Sequence, residues 1–103
     1  MRFVALALVA ACSFAISACG SDRSTAIADL TGDTTSGETL YGANCASCHG
    51  ADRAGTSAGP DIRGEIEGGE TIDVILNGED TMPAFADTLS DQEIADILAF
   101  LQN

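Results

Sequence analysis

Cys45-Ala46-Ser47-Cys48-His49 is the stretch of sequence that decides the fold. Two thiols three residues apart at a helix end face the same side, and the adjacent imidazole lies beneath the group that they hold. With this spacing, each thiol can add to one vinyl group of a haem while His49 ligates the iron. The C-x-x-C-H pattern therefore predicts a covalently attached c-type haem, bound by Cys45 and Cys48.

Three other interpretations use the same side chains. A thioredoxin-type redox pair requires a βαβ context, which the sequence pattern does not provide. A structural disulfide between Cys45 and Cys48 is compatible with an exported chain. A zinc site would need a fourth ligand beside these thiols and His49, which is the only histidine in the sequence. Covalent haem is the interpretation that the spacing favours.

Met82 is the candidate for the second axial ligand of the iron. His49 cannot share the iron with another histidine, and Met1, the other methionine, would leave with the signal peptide predicted below. Met82 is followed by Pro83, which has no backbone donor and stiffens the chain beside the ligand. A methionine in such a loop can also serve packing alone, but after a haem-attachment motif it is expected to ligate the iron.

Residues 36–103 are predicted to form one small all-α domain. Three segments have helical patterns: about 36–48, about 70–77, and a segment that begins after Ser90. The apolar pattern over 71–76 is also compatible with a strand. A domain of about 68 residues rarely buries enough core to fold alone. A bulky apolar ligand such as haem would fill that deficit.

The ends of these helices have sequence signals. Thr35 and Glu38 fit a capping box for the first helix, as do Ser90 and Glu93 for the third. Gly78 provides a left-handed stop for the second helix. The third helix also has an apolar stripe that would face the core, formed by Ile94, Ile97, Leu98 and Leu101.

The N-terminal segment predicts export and lipidation. Residues 1–18 have the short apolar run of a signal peptide, although an uncleaved membrane anchor is the alternative. The residues before Cys19 resemble a bacterial lipobox, which would make Cys19 the lipidated first residue of the mature chain. Residues 19–35 are rich in Ser, Thr, Asp and Gly, and are predicted to be a flexible tether.

The charge of the chain is strongly negative. The full sequence has a formal charge of −12, and loss of Arg2 with the signal peptide leaves three arginines against sixteen carboxylates, which is −13. Such a chain is not expected to bind nucleic acid or an anionic membrane through charge. An electrostatic partner should instead present a basic face.

Taken in order, the short motifs of residues 36–103 resemble those of the class I cytochromes c. Gly37 and Tyr41 precede the attachment motif, and Gly59-Pro60 follows it. The segment from Asn77 to Phe85 then contains N-G-x-x-x-M-P-x-F. The C-terminal helix completes the resemblance with two residues that should pack on Gly37 and Tyr41, namely Ile97 and Phe100.

The resemblance implies a cytochrome c fold of three helices around one haem. It also implies that the carbonyl of Pro60, presented after Gly59, accepts the Nδ1–H of His49 and fixes its tautomer. The segment between His49 and Met82 is short for the family, which would leave more haem edge exposed. Arg63 is then a candidate partner for a haem propionate, with a solvated loop cation as the alternative.

The expected function is that of a monomeric one-electron carrier, not an enzyme, in an extracytoplasmic electron-transfer chain on the periplasmic or cell-surface side. The main alternative is an electron-accepting cytochrome subunit of an exported dehydrogenase or reductase. A gas-binding sensor or small peroxidase would need an open axial position on the iron, which Met82 would close. A large apolar patch beside the haem edge would favour the subunit interpretation.

Overall fold

The computed structural model describes residues 22–64 and 66–103. Within them the chain forms helices and no β-strand, which confirms the predicted all-α fold class. None of the described helices is long and apolar enough to span a lipid bilayer. The predicted signal peptide (1–18) and Cys19 lie outside the described residues. The helices are α1 (Asp22–Ala28), α2 (Thr34–Asn44), α3 (Ala46–His49), α4 (Gly68–Asn77) and α5 (Asp91–Gln102).

The first predicted helix, over 36–48, is two helices in the structure. The side chain of Asp33 caps α2 by accepting the backbone N–H groups of Thr35 at 2.9 Å and Ser36 at 3.3 Å. The capping box predicted at Thr35 is therefore wrong, because Asp33 already occupies the cap position. Cys45, with φ −122°, separates α2 from the single turn of α3.

The other two predicted helices agree with the sequence. α4 ends at Gly78, which adopts φ +76° and donates its N–H to the carbonyl of Val74. At the start of α5, the hydroxyl of Ser90 accepts from the N–H of Glu93 at 3.1 Å, and the Glu93 carboxylate accepts from the N–H of Ser90 at 2.9 Å. This reciprocal pair is the predicted capping box.

The N-terminal segment differs from its prediction. Residues 19–35 were expected to be a flexible tether, but α1 packs against α4 and α5. Ile27 is fully buried, and the hydroxyl of Ser24 donates to the carboxylate of Asp73 in α4. The prediction of a tether is therefore wrong for residues 22–35. The contacts that order this segment come from residues far along the chain, which local composition does not reveal.

The crossing of α2 and α5 forms the centre of the domain. A Cβ atom at Gly37 would lie 2.9 Å from Cβ of Phe100 and closer still to the main chain of Asp96, so glycine is needed here. The rings of Tyr41 and Phe100 have centroids 5.4 Å apart. These contacts confirm the predicted packing of the first and last helices. The buried core consists of Ile27, Tyr41, Ile72, Ile75, Leu76, Leu89, Ile94, Ala95, Ile97, Leu98 and Leu101.

Replacing Gly37 with alanine should destabilise the protein by about 1–3 kcal/mol, because the added methyl group forces the helix backbones apart. Gly42 provides a matched control on the same helix, since a Cβ there meets nothing within 4 Å. Gly42→Ala should be neutral or stabilise by up to ~1 kcal/mol through better helix propensity. Thermal unfolding of the two variants checks the prediction, and equal melting temperatures would contradict it.

Candidate haem-binding site

His49 is the last residue of α3, and its imidazole is held from one side. Its Nδ1 lies 2.9 Å from the carbonyl oxygen of Pro60. A carbonyl can only accept, so Nδ1 must carry the proton and Nε2 keeps its lone pair. The expected contact between Pro60 and His49 is present, and it orients the imidazole with Nε2 available to a metal.

The loop that carries Pro60 is fastened to the attachment motif. Thr56 and Gly59 form a short antiparallel bridge, and the Thr56 hydroxyl donates to the carbonyl of Cys48 at 2.6 Å. A Cβ on Gly59 would lie 2.9 Å from that same carbonyl oxygen. The absence of a side chain at Gly59 therefore lets the loop lie against Cys48 and present the next carbonyl to His49.

Met82 lies on a second tight turn that follows α4. Glu79 and Met82 exchange backbone hydrogen bonds of 3.2 and 2.8 Å. The turn depends on left-handed backbone at Gly78 and Asp80, where φ is +76° and +55°. Just beyond it, the N–H of Phe85 bonds to a carbonyl of α4 at 2.9 Å. Backbone hydrogen bonds on both sides thus fix the position of Met82.

Both turns face one cavity of about 770 Å³. This volume is within the range of cofactor pockets. Two thiols, one imidazole with a free Nε2 and one thioether open onto it, and apolar side chains form much of the remaining wall, so these residues fit a covalently held haem. The thiols, the imidazole and the thioether belong to Cys45, Cys48, His49 and Met82. The apolar part of the wall includes Ile62, Ile66, Val74, Ile75, Phe85, Ile97 and Leu101, and polar side chains, among them Glu67, Glu70, Glu79 and Asp80, also line the cavity.

The two cysteines are free thiols in the structure. Burial, together with a smaller effect of the neighbouring Cys48, raises the pKa of the Cys45 thiol to about 11. Cys45 is therefore a neutral thiol at physiological pH, unlike the attacking cysteine of a thioredoxin-type pair. Among residues 22–64 and 66–103, no group of three His, Cys, Asp or Glu side chains could hold a metal ion. The zinc alternative thus has no ligand set in this part of the chain.

Arg63 does not reach the cavity. Its guanidinium forms two hydrogen bonds with the carboxylate of Asp61, the shorter at 2.6 Å, and both side chains are exposed. The hydrogen bonds from Arg63 lower the pKa of Asp61 to about 2. In the structure Arg63 is thus an exposed cation paired with Asp61, and its contact with a haem propionate stays a prediction.

Arg53 is a structural residue of the site that sequence analysis did not identify. It adopts φ +67°, and its backbone carbonyl accepts the N–H of Ile62 at 3.0 Å, within the loop that carries Pro60. Its guanidinium donates to the carbonyl of Leu101 at 3.0 Å and lies 5.0 Å from the ring centroid of Phe100. Arg53 thus joins this loop to the end of α5. No local pattern marks it, because its partners lie 47 and 48 residues away.

Comparisons with known proteins agree with this geometry. Residues 32–101 match the family described as cytochrome c oxidase, cbb3-type, subunit III. Cytochrome c6 of Bryopsis maxima is 34% identical over 81 residues, which cover 68% of this chain and 90% of the relative. The structure of cytochrome c6 from the diatom Phaeodactylum tricornutum matches with a TM-score of 0.54 and 33% identity, over 68% of this chain and 91% of that one.

A match to another type of cytochrome shows only that this chain has the same fold. Cytochrome cL from Methylophaga aminisulfidivorans matches with a TM-score of 0.62 and 23% identity. The match covers 67% of this chain and 51% of the cytochrome cL chain. The present chain thus corresponds to about half the length of that protein.

This fold and this site are those of the class I c-type cytochromes, which carry one covalently bound haem c. The chain belongs to the cytochrome c family, through the match to the cbb3-type subunit III domain. In keeping with this family, it transfers single electrons between redox partners and is not an enzyme.

The left-handed backbone of Arg53 gives a prediction that separates backbone from side-chain effects. Arg53→Gly and Arg53→Ala both remove the bond to Leu101 and the stacking on Phe100. Only glycine adopts φ +67° without strain, so the glycine variant should be the more stable of the two by about 1 kcal/mol. Equilibrium denaturant unfolding measures the difference. An alanine variant as stable as the glycine variant would contradict this interpretation.

Proposed function

We propose that the protein is a one-electron carrier in an extracytoplasmic electron-transfer chain, with its haem held by Cys45 and Cys48 and its iron ligated by His49 and Met82. The main support is that these four side chains line a single cavity. In addition, the carbonyl of Pro60 orients His49 at the end of α3, and backbone hydrogen bonds fix the turn on which Met82 lies. When bound, haem c supplies the one-electron redox step, and a Met/His ligand pair raises its potential.

The residues of the chain orient the two axial ligands. Pro60 holds the proton on Nδ1 of His49, so Nε2 is the ligating atom. Pro83 restricts the backbone next to Met82. A fixed ligand on each side favours electron transfer over gas binding or peroxidase chemistry, both of which need an open axial position. This argument makes the sensor and peroxidase alternatives the weaker ones.

Met82→Ala tests the proposed ligation. The variant should lose the weak ferric absorption band near the red end of the spectrum, which comes from a sulfur-to-iron transition, and its ferrous form should bind carbon monoxide. Met82→His is the matched control: it keeps two axial ligands, should exclude carbon monoxide, and should lower the potential because the thioether is lost. A Met82→Ala spectrum identical to that of the wild type would show that another group ligates the iron.

The proposal includes a lipid anchor at Cys19, which rests on the lipobox-like residues before it. A diacylated cysteine has the two acyl chains that stable membrane attachment requires. Cys19→Ser should move the protein from the membrane fraction to the soluble extract or leave it unprocessed. Fractionation of cells that express each form measures this, and a wild-type protein already in the soluble fraction would rule out the anchor.

We further propose that a redox partner with a basic face docks beside the haem cavity. Four exposed carboxylates lie on the cavity wall, contributed by the start of α4 and by the Met82 turn: Glu67, Glu70, Glu79 and Asp80. Asp61, next to Pro60, is paired with Arg63, and neither side chain lines the cavity. The unpaired negative charge at the cavity is thus concentrated on the α4 side, where it would attract a basic surface.

The double variant Glu70→Gln/Glu79→Gln tests this docking face. It should slow electron transfer with a small cationic redox reagent at 0.01 M ionic strength, where the Debye length is ~30 Å, and much less at 0.15 M, where it is ~8 Å. The control is Asp29→Asn/Glu38→Gln, which removes the same charge from exposed positions away from the cavity. Equal rates for both double variants at low salt would show that the α4 carboxylates do not steer docking.

The second candidate function is that of a subunit in a larger redox complex, which the description of the matched family favours. One observation argues against this function. In the described part of the chain, Leu30 is the one exposed large hydrophobic residue, with 40% of its surface accessible to solvent, and it does not line the cavity. A permanent subunit would be expected to present a larger apolar patch. Crosslinking in native membranes distinguishes the free carrier from the subunit, because a partner that is crosslinked in a fixed stoichiometry would favour the subunit.

A further inference from the structure

The helix α1 lies outside the segment that the family shares, which begins at residue 32. It is nevertheless docked, with Ile27 fully buried and Ser24 bonded to α4. Its strongest polar contacts come from Arg23. This guanidinium bonds to the carboxylate of Asp91 at 2.7 Å, to the carbonyl of Ala86 at 2.8 Å and to the carbonyl of Leu89 at 3.2 Å.

Two partners of Arg23, Ala86 and Leu89, lie on the connection between the Met82 turn and α5, and the third, Asp91, is the first residue of α5. Ala86 is held at both of its backbone groups, because its N–H bonds to the carbonyl of Leu76 at 3.2 Å while its carbonyl accepts from Arg23. Ala86 is four residues after Met82, and the rigid Pro83 and the cavity-lining Phe85 lie between them. Ala86 is therefore one of the points that hold the Met82 loop, together with the Glu79–Met82 bonds and the bond from the N–H of Phe85 to α4.

We propose that α1 is a strap that holds the Met82 loop closed, and that Arg23 is a positioning residue for the iron–sulfur contact. The proposal rests on the assignment of Met82 as axial ligand. Its physical basis is that a planar guanidinium can bind two carbonyls and a carboxylate at once, whereas turns outside helices have few hydrogen bonds of their own. α1 precedes the segment that matches the family, residues 32–101.

The test is the rate at which cyanide binds the ferric holoprotein, because cyanide must wait for the methionine to leave the iron. Arg23→Gln should raise this rate about fivefold, which corresponds to about 1 kcal/mol. Asp91→Asn removes only the ion pair and keeps both carbonyl contacts, so its rate should rise by less. Thr25→Ala, on the exposed face of α1, is the matched control and should bind cyanide at the wild-type rate.

A second measurement separates positioning from general stability. Hydrogen exchange of the Ala86 and Leu89 amides should quicken in Arg23→Gln, while the buried amides of α5 keep wild-type exchange. Arg23→Gln that lowers the melting temperature but leaves cyanide binding unchanged would overturn the strap. Met82→Ala, measured beside it, should bind cyanide fastest of all. If Met82→Ala is also unchanged, the ligand assignment fails rather than the strap.

Discussion

The close approach of α2 and α5 at Gly37 is the contact on which the rest of the site depends. It brings Tyr41 against Phe100, and the hydroxyl of Tyr41 then donates to the carbonyl of Gly50 at 2.7 Å, immediately after the attachment motif. Arg53 completes the connection from the end of α5 to the loop that carries Pro60. A displacement of α5 would thus shift the side chains of Tyr41 and Arg53, and through them the position of Pro60, which orients His49.

Much of the fold and site could be predicted from the sequence where the signal was local. The capping box at Ser90, the glycine stop of α4 and the spacing of Cys45, Cys48 and His49 each involve residues within a few positions of one another, so the sequence contains the whole signal. The contact between Pro60 and His49 spans eleven residues, and its prediction needed the resemblance to a known family.

Two of the features that sequence analysis missed, α1 and Arg53, depend on long-range contacts. α1 has the composition of a linker, yet it is helical because Arg23 finds partners 63 to 68 residues away and Ile27 enters the core. Arg53 joins elements 48 residues apart. Arg63 differs from both: its observed partner is the carboxylate of Asp61, two residues away, and its contact with a propionate stays a prediction. Composition cannot rank such competing partners.

The docking of α1 also changes how far the haem could travel from a membrane. If residues 20–35 were a flexible coil, their typical end-to-end distance would be ~20–25 Å, and the fully extended segment would span about 55 Å. With α1 folded into the domain, only two residues separate Cys19 from Asp22, which are therefore at most ~10 Å apart. A chain anchored at Cys19 would therefore carry its haem in a thin layer at the lipid surface. It would search for partners in two dimensions, and would exchange electrons with proteins whose own redox centres lie within one domain width of the bilayer.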